Sequence, residues 1–346
     1  MNIQEFKKEF DVRFFDYIEK KISSYKKITT DKQIQLFLKY IQTYTKEGKR
    51  VRPYCAYIAY TESNKKITDA VWSVMISLEL IQTFALIHDD VIDNSSLRRG
   101  LPTVHEYIKQ QSGDVASSAT HYANMQAVLV GDLVYTLAFD VLCGADIKPA
   151  VRLKIQTLLE EVIVGQMLDV RLAYQKEPVA KKVIMQKMQY KTARYTFARP
   201  FEIGALLGGL SAEKQAHFFA LGESLGIAYQ IQDDALDIFG DEAKIKKNTL
   251  DDIREGQQTL ATEYFYKKAS QKDLQLFKQF FGKDFSKEEG SVLKSLLRTY
   301  AVDAYLQKEA QKFFAVAEES VSTAPYRKTT KDLLVTFIDM VALRAS

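Results

Sequence analysis

The chain has 346 residues, of which 47% are apolar and 27% charged, the composition of an ordinary globular protein with a sizeable core. Its 48 Lys and Arg against 44 Asp and Glu leave a net charge of only +4, which does not indicate a nucleic-acid partner. The charged N-terminal segment has no apolar signal core, and no run reaches the 18 or so consecutive apolar residues of a membrane helix. We therefore expect a cytoplasmic protein without stable membrane insertion.

The apolar residues recur with helical spacing along most of the chain. In the segment 6–22, Phe6, Phe10, Phe14 and Ile18 repeat every four positions with charges between them. The segment 70–92 is apolar nearly all round, which predicts a helix buried in the centre of a bundle. Further long helices are predicted over 124–142, 151–172, 183–207, 215–239 and 331–343.

The remaining patterns favour a single all-α domain over residues 1–346. We find no alternating strand pattern, no Pro-, Gly- or Ser-rich linker and no internal repeat. The polar stretches 240–258 and 282–290 are predicted to be loops. The two cysteines, Cys55 and Cys143, lack CxxC spacing and are predicted to be buried thiols in a reducing compartment.

The predicted central helix ends in an acidic cluster. Asp89 and Asp93 are four residues apart, which places them on one face of a helix, and Asp90 lies beside them. Mg²⁺ typically takes one or two protein carboxylates together with substrate phosphates, so this cluster suits a Mg²⁺–diphosphate bridge. A single acidic pair is weak support, because pairs such as Asp251-Asp252 are usually solvated surface.

A second cluster repeats the same spacing. Asp233, Asp234 and Asp237 close the predicted helix over 215–239, which is otherwise largely apolar. Two such clusters, each at the end of an apolar helix, could face each other across a cavity and hold several metal ions. The repetition makes a shared diphosphate site the favoured interpretation.

Basic residues lie close to the first acidic cluster. Lys49, Arg50 and Arg52 precede an apolar helix start, and Arg98-Arg99 follow the cluster by a few residues. Arginine matches phosphate oxygens bidentately, and lysine supplies a point charge. These bases are therefore candidates for binding diphosphate, although basic turns are usually solvated. His88, next to the cluster, is predicted to be a packing histidine that hydrogen-bonds a neighbour.

From about Gly48 to Thr259 the chain resembles the trans-isoprenyl diphosphate synthases (polyprenyl synthetases). Gly48 to Pro53, GKRVRP, is similar to the family's turn for the homoallylic diphosphate, and DDVID and DDALD resemble its two aspartate-rich motifs. Gly165-Gln166 with Asp169 resembles the family's GQxxD element, and Lys191-Thr192 its Lys-Thr pair.

The resemblance implies the role of each matching residue. The metal ligands would be the six aspartates of the two clusters, Asp89, Asp90, Asp93, Asp233, Asp234 and Asp237, with Asp89, Asp93 and Asp233 as the main ones. The isopentenyl diphosphate would be held by Lys49, Arg52, Gln82 and Arg99. The allylic diphosphate would be held by Arg98, Lys191 and Lys247, with Thr192 and Gln230 beside it. The catalytic set is then Asp89, Asp93, Asp233, Lys191 and Arg98.

The resemblance also implies an architecture and a cofactor. The fold would be a bundle of roughly ten or more long helices around a deep central cavity, as in isoprenoid synthases, commonly as a homodimer. The cofactor would be Mg²⁺, with about three ions bound together with the allylic diphosphate. The reaction would condense isopentenyl diphosphate head to tail with an allylic diphosphate.

The chain departs from the family pattern at two positions. Gln257 stands where a lysine is usual, and Leu250 stands where a glycine is common. If the missing charge at position 257 weakens binding of the diphosphate, Gln257→Lys should lower the KM for the allylic substrate.

The residues upstream of Asp89 bear on product length. Phe84 lies about 7–8 Å below Asp89 along the helix axis. In the family, an aromatic residue here tends to accompany a C20 product. Ala85 lies more directly below Asp89, and Ile81 lies one further turn down. We expect mainly geranylgeranyl diphosphate (C20), with the C15 farnesyl diphosphate as second choice, although Phe84 could instead be ordinary core packing.

Two other classes of function stay open. A terpene cyclase or head-to-head synthase would share the helical fold and one acidic motif, but would not need Lys49, Arg52 and Arg99 to hold a second diphosphate. A catalytically weak partner subunit of a prenyl synthase would be expected to lose part of an aspartate motif. Both motifs are intact here, while Gln257 keeps this alternative open.

Overall fold

The fold is described here from a computed structural model, which covers residues 1–112, 119–175, 177–241 and 249–343. The described residues are 79% helical and contain almost no sheet, which confirms the all-α prediction. By contacts between residues it divides into two compact units, which we describe separately. One unit contains 1–57 and 66–148, and the other contains 58–65 and 149–346. A single domain over 1–346 stays a prediction.

The first unit is built on two long helices that pack against each other, α4 and α6. Its elements are α1 (Ile3–Tyr25), α2 (Lys32–Thr45), α3 (Val51–Thr61), which begins in this unit, α4 (Asp69–Ile92), β1 (Leu97–Arg98), β2 (Leu101–Pro102), α5 (Val104–Gln111) and α6 (Ala119–Cys143). Thr68 caps α4 by accepting a hydrogen bond from the backbone N–H of Val71. On α1 the predicted apolar stripe of Phe6, Phe10, Phe14 and Ile18 is fully buried.

Helices α4 and α6 are long and apolar enough to cross a membrane by length and composition alone. In α4, 72% of the most apolar window is buried in the protein, as expected of a core helix, whereas in α6 only 39% is. The exposed part of α6 includes Met125 and Leu129. An apolar face of this kind is typical of a surface that another molecule covers.

A small hairpin follows α4, although the sequence shows no strand pattern. Leu97 pairs with Pro102 and Arg98 with Leu101 in antiparallel register. Arg99 and Gly100 form the turn with positive φ angles of 55° and 78°, as in the tight turns of two-residue hairpins. The strands are too short for side-chain alternation to reveal them, so the expectation of no strand was wrong here.

In the described part of the second unit, helices are the regular secondary structure, and loops connect them. The helices are α7 (Pro149–Ala173), α8 (Lys181–Met188), a π-helix (Gln189–Ala198), α9 (Arg199–Gly208), α10 (Ala212–Phe239), α11 (Asp251–Arg254), α12 (Leu260–Lys268), α13 (Gln271–Phe280), α14 (Lys287–Thr299), α15 (Val302–Thr323) and α16 (Lys328–Ala342). The π-helix packs against both α7 and α10.

The backbones of α7 and α10 lie very close to the backbone of the π-helix. A Cβ atom added at Gly165 of α7 would lie 2.4 Å from the backbone nitrogen of Lys191, and one at Gly226 of α10 would lie 2.4 Å from Cα of Ala193. Only glycine fits at such separations. The two glycines therefore let the wide π turn, which carries Lys191 and Thr192, lie directly against the neighbouring helices.

The structure corrects three details of the sequence analysis. The predicted helix over 183–207 is interrupted by the π-helix, because π hydrogen bonding leaves no distinct period in the sequence. The predicted loops contain a short helix, Asp251–Arg254, and the start of α14 at Lys287. Both cysteines are free, as expected, but Cys143 is exposed at the end of α6 while Cys55 is buried.

Candidate active site

The first acidic cluster occupies the last turn of α4. Asp93 caps the helix, and its backbone N–H donates to the carbonyl oxygen of Asp89 over 2.8 Å. Asp89 and Asp93 are partly accessible, whereas Asp90 is fully buried. The helical turn thus keeps the two outer carboxylates within reach of a ligand and turns the middle one inward.

Asp90 is held by two hydrogen-bond donors. Arg98 donates from Nε to Oδ1 over 2.8 Å, and its Nη2 contacts the same oxygen. The Tyr44 hydroxyl donates to Oδ2 over 2.6 Å. Burial raises the pKa of Asp90 above the usual carboxyl range, although Arg98 acts in the opposite direction. These contacts favour Asp90 as the anchor of Arg98, and its assignment as a metal ligand stays a prediction.

The hairpin presents the two predicted arginines differently. Arg98 is partly buried, and its Nη2 also lies 3.6 Å from Oδ2 of Asp89, which links it to the accessible part of the cluster. Arg99, at the turn, is exposed and holds a left-handed backbone conformation that costs a non-glycine residue about 1–2 kcal/mol. Arg98 is therefore positioned beside the acidic cluster, while Arg99 lies at the turn of the hairpin, where burial lowers the pKa of its guanidinium.

The bases before α3 separate into two kinds. Lys49 is exposed and Arg52 half-buried, and their assignment to a diphosphate site stays a prediction. Arg50 is only 1% exposed, with Nε 2.6 Å from Asp11 and Nη1 2.7 Å from Glu79. Arg50 is thus a buried structural ion pair and not an anion-binding side chain.

The residues upstream of Asp89 on α4 include the predicted length-determining positions. Ile81 and Gln82 are buried, whereas Phe84 and Ala85 are half-buried. The Phe84 ring lies edge-on to His88, with centroids 4.7 Å apart, and 5.2 Å from the ring of Tyr135. Phe84 therefore packs toward α6, and Ala85 lies on a neighbouring part of the helix surface.

His88 has the packing role predicted for it. Its Nε2 lies 3.1 Å from the carbonyl oxygen of Val128, and its ring fills the space where a Cβ at Gly131 would stand, 2.4 Å away. It joins α4 to α6, which confirms that prediction.

In the second unit the end of α10 carries the other acidic cluster. Asp233 is exposed, and Asp234 and Asp237 are buried. Gln230 donates from Nε2 to Oδ1 of Asp234 over 2.7 Å and accepts from the Thr192 hydroxyl over 2.6 Å. The predicted residues Thr192, Gln230 and Asp234 thus form one hydrogen-bonded chain.

Asp252 joins this cluster, although its Asp-Asp sequence predicted a solvated surface pair. Its backbone N–H donates to Oδ2 of Asp237 over 3.1 Å. Burial, together with the negative charge of Asp252, raises the pKa of Asp234 to about 8. The only sequence signal for Asp252 was its position shortly after the second acidic motif.

Lys191 is fixed by the acidic residue of the GQxxD element. Its Nζ contacts Oδ2 of Asp169, and Nζ of Lys187 lies 2.9 Å from Oδ1 of the same carboxylate. Asp169 is 3% exposed. Burial disfavours its charged form, but Lys187 and Lys191 hold its pKa below the usual range. Sequence reasoning missed Lys187, and Lys247 lies outside the described residues.

Among the residues that the structure describes, no three His, Cys, Asp or Glu side chains are grouped closely enough to form a metal cage. Mg²⁺ needs no such cage, because it usually keeps several waters and binds through one or two carboxylates plus substrate phosphates. Accessible carboxylates of this type are present in each unit, Asp89 and Asp93 in one and Asp233 in the other. The carboxylates of either motif therefore fit Mg²⁺ bound together with a diphosphate.

Comparison with known proteins identifies the family of the chain. The family model described as Polyprenyl synthetase matches residues 34–299. A short chain isoprenyl diphosphate synthase of Methanothermobacter thermautotrophicus is 28% identical over 279 residues, covering 80% of each chain. A geranylgeranyl diphosphate synthase of Sulfolobus acidocaldarius is 28% identical over 286 residues, covering 81% of each chain.

The fold has a similar counterpart among solved structures. It matches a geranylgeranyl pyrophosphate synthase from Corynebacterium glutamicum, complexed with isoprenyl diphosphate and magnesium, with a TM-score of 0.92. That match covers 100% of both chains at 24% identity, and it shows the isoprenoid synthase fold. The chain belongs to the polyprenyl synthetase family and is a trans-prenyltransferase.

Proposed function

We propose that this protein condenses isopentenyl diphosphate head to tail with an allylic diphosphate. The observation that carries the proposal is that both aspartate motifs have an accessible carboxylate and that two of the predicted diphosphate-binding cations are held in place by buried carboxylates. Arg98 is held by Asp90, and Lys191 by Asp169. Such preorganised charges are what the departure of a diphosphate requires.

Asp89, Asp93 and Asp233 would hold the Mg²⁺ ions, about three of them by analogy with the family. Bound Mg²⁺ supplies Lewis-acid neutralisation of the diphosphate oxygens. Asp90, Asp234 and Asp237 stay proposed as further ligands. Because they are buried and hydrogen-bonded, they would also hold their neighbours in position: Arg98 beside Asp90, Gln230 beside Asp234 and the backbone of Asp252 beside Asp237.

The allylic diphosphate would be bound by Arg98, Lys191 and Lys247, with Thr192 and Gln230 orienting the side chains around it.

In the reaction, the allylic C–O bond breaks, and its electron pair leaves with the diphosphate. Isopentenyl diphosphate would be held by Lys49, Arg52, Gln82 and Arg99. In this position, the electron pair of its double bond forms the new C–C bond to the allylic cation. The proton lost in the final elimination can be taken by the released diphosphate, so no side chain needs to be a strong base. Water must be kept from the allylic cation.

The product is proposed to be mainly C20, with C15 as the second choice. The half-buried Phe84 would limit a chain growing along α4, and the small Ala85 would leave room beyond a C10 product. Ile81, buried one turn further down, would line the end of this path.

The protein is further proposed to be a soluble cytoplasmic homodimer. Met125 and Leu129 on α6 are 53% and 59% exposed, and Val128 between them is 37% exposed. A second copy could cover this apolar face. The burial of α4 favours a core helix over a membrane span.

One assay separates this proposal from the alternatives. The purified protein is incubated with isopentenyl diphosphate, allylic primers of different lengths and either Mg²⁺ or EDTA, and the products are identified by mass. The proposal expects Mg²⁺-dependent chain extension. A cyclic product would favour the terpene cyclase, and a folded protein that is active only with a partner chain would favour the weak subunit.

A further inference from the structure

Lys187 is a buried lysine in the described part of α8, one helical turn before Lys191. Its side chain is only 10% exposed, and its Nζ lies 2.9 Å from Oδ1 of Asp169 and 3.3 Å from Oε1 of Gln257. Lysine is rarely this buried unless it is paired. Its amine therefore has a defined position in the polar cluster that also holds Lys191.

Lys187 and Lys191 share one carboxylate. Asp169 contacts Lys187 through one oxygen and Lys191 through the other, so this carboxylate faces two ammonium groups. Gln257 adds an amide oxygen but no charge. Each ammonium group has three N–H donors, of which Asp169 accepts from one, so this pair of lysines is suited to bind an anionic ligand as well.

The uncharged side chain of Gln257 is compatible with the neighbouring ammonium group of Lys187. Its side chain is buried and accepts a hydrogen bond from Lys187. A lysine at position 257, as the family pattern leads one to expect, would place a second ammonium against that of Lys187, and like charges at such a separation repel. Glutamine at 257 and lysine at 187 are therefore compatible as a pair, and a lysine at both positions is not. For this reason we no longer expect Gln257→Lys alone to lower the KM for the allylic substrate.

We propose that Lys187 is an additional diphosphate-binding cation, which takes the place of a lysine at position 257. The proposal rests on the proposed function, because it assigns Lys187 to the allylic diphosphate that Lys191 would bind. Asp169 and Gln257 act as positioning residues for the two lysines. The expected lysine is thus not lost from the site but is supplied from α8.

The test uses inorganic pyrophosphate with Mg²⁺, whose affinity is measured by calorimetry without any turnover. Lys187→Met should weaken pyrophosphate binding by roughly 10- to 100-fold, the usual effect of losing a hydrogen bond to a charged group, and should raise the KM for the allylic diphosphate. Lys187→Met combined with Gln257→Lys should recover most of the pyrophosphate affinity, because the lysine introduced at position 257 restores the positive charge lost at position 187. Lys182→Met, at an exposed position of the same helix, is the matched control and should bind as wild type.

A second variant keeps the test independent of whether Lys187→Met folds. Gln257→Glu places a carboxylate on Lys187 and neutralises it, so it should weaken pyrophosphate binding while leaving the melting temperature at or above that of wild type. Pyrophosphate affinity unchanged in Gln257→Glu, or in folded Lys187→Met, would overturn the proposal and leave Lys187 as a structural counterion of Asp169. A folded double variant no tighter than Lys187→Met would overturn it too.

These outcomes are distinguishable from failure of the proposed function. A wild-type protein that binds pyrophosphate but never joins isopentenyl diphosphate to a primer contradicts the proposed function, while the pyrophosphate comparison still decides the role of Lys187.

Discussion

Arg98 donates from Nε to the buried carboxylate of Asp90 over 2.8 Å, while the adjacent Asp89 stays partly accessible. Two consecutive aspartates of one motif thus face different surroundings. Asp90 supports the position of an arginine, and Asp89 is available to a ligand. A substitution of Asp89 should therefore chiefly lower turnover, whereas a substitution of Asp90 should chiefly lower the stability of the fold.

We expect Asp89→Ala and Asp233→Ala each to lower turnover by several orders of magnitude and to leave the fold intact. Each change removes an accessible carboxylate from metal–diphosphate binding without removing a core contact. Steady-state kinetics in Mg²⁺, together with circular dichroism and melting temperatures, measures both effects. Near wild-type rates in both variants would show that these carboxylates do not take part in the reaction.

Asp90→Ala is the matched comparison, and it should chiefly destabilise the fold. Removing one partner of a buried ion pair costs about 3–5 kcal/mol, and Tyr44 also loses its acceptor. Denaturant unfolding measures the loss. An Asp90→Ala protein as stable as Asp89→Ala would contradict the anchoring role.

Asp169→Asn should lower the free energy of unfolding by about 3–5 kcal/mol at neutral pH, because two ammonium groups lose their shared carboxylate. The folded-state pKa of Asp169 is depressed, so its contribution is fully present above the unfolded pKa of about 3.9 and is lost as the pH falls through the lower folded value. The stability gap between wild type and variant should therefore be constant near neutral pH and should narrow below about pH 4. A gap that stays constant down to pH 2 in still-folded protein would contradict this assignment.

The second departure from the family pattern, Leu250 in place of a glycine, lies at a position with an unusual backbone conformation. Its φ is 67°, a left-handed conformation that favours glycine, yet its side chain is only 2% exposed. Leu250→Gly relieves about 1–2 kcal/mol of strain but loses a buried leucine worth about 2–5 kcal/mol. The variant should be less stable than wild type, and Leu250→Ala, which keeps the strain, less stable still. Calorimetric melting checks this order, and an alanine variant as stable as the glycine variant would exclude the left-handed conformation.

Product length is tested at two neighbouring positions of α4. Phe84→Ala should lengthen the product by removing a half-buried ring, and Ala85→Phe should shorten it by adding one. Products are identified by mass after reaction with a fixed primer. If the folded, active Phe84→Ala enzyme gives an unchanged product spectrum, Phe84 acts only in packing against Tyr135.

The sequence predicted those features that depend on local spacing. The stripe of Phe6, Phe10, Phe14 and Ile18 has the period of a helix, and all four side chains are buried as expected. The packing of His88 was also predicted, because a histidine on an apolar helix usually finds a nearby acceptor.

Features that depend on distant partners could not be predicted. Arg50 and Arg52 both follow Lys49, but Arg50 is fully buried against Asp11 and Glu79, which lie far away in sequence, whereas Arg52 is half-buried. The contact of Lys187 with Gln257 joins residues 70 positions apart. No local pattern reveals such pairs, since each depends on how the helices pack.

Head-to-tail condensation is tested most directly by supplying isotopically labelled isopentenyl diphosphate with an unlabelled allylic primer and Mg²⁺. We predict that wild-type protein incorporates the label into a linear product that is longer than the primer by whole five-carbon additions. We predict that the Asp89→Ala and Asp233→Ala variants do not incorporate the label. Products formed from the allylic diphosphate alone, or folded wild-type protein that never incorporates the label with any primer, would contradict head-to-tail condensation.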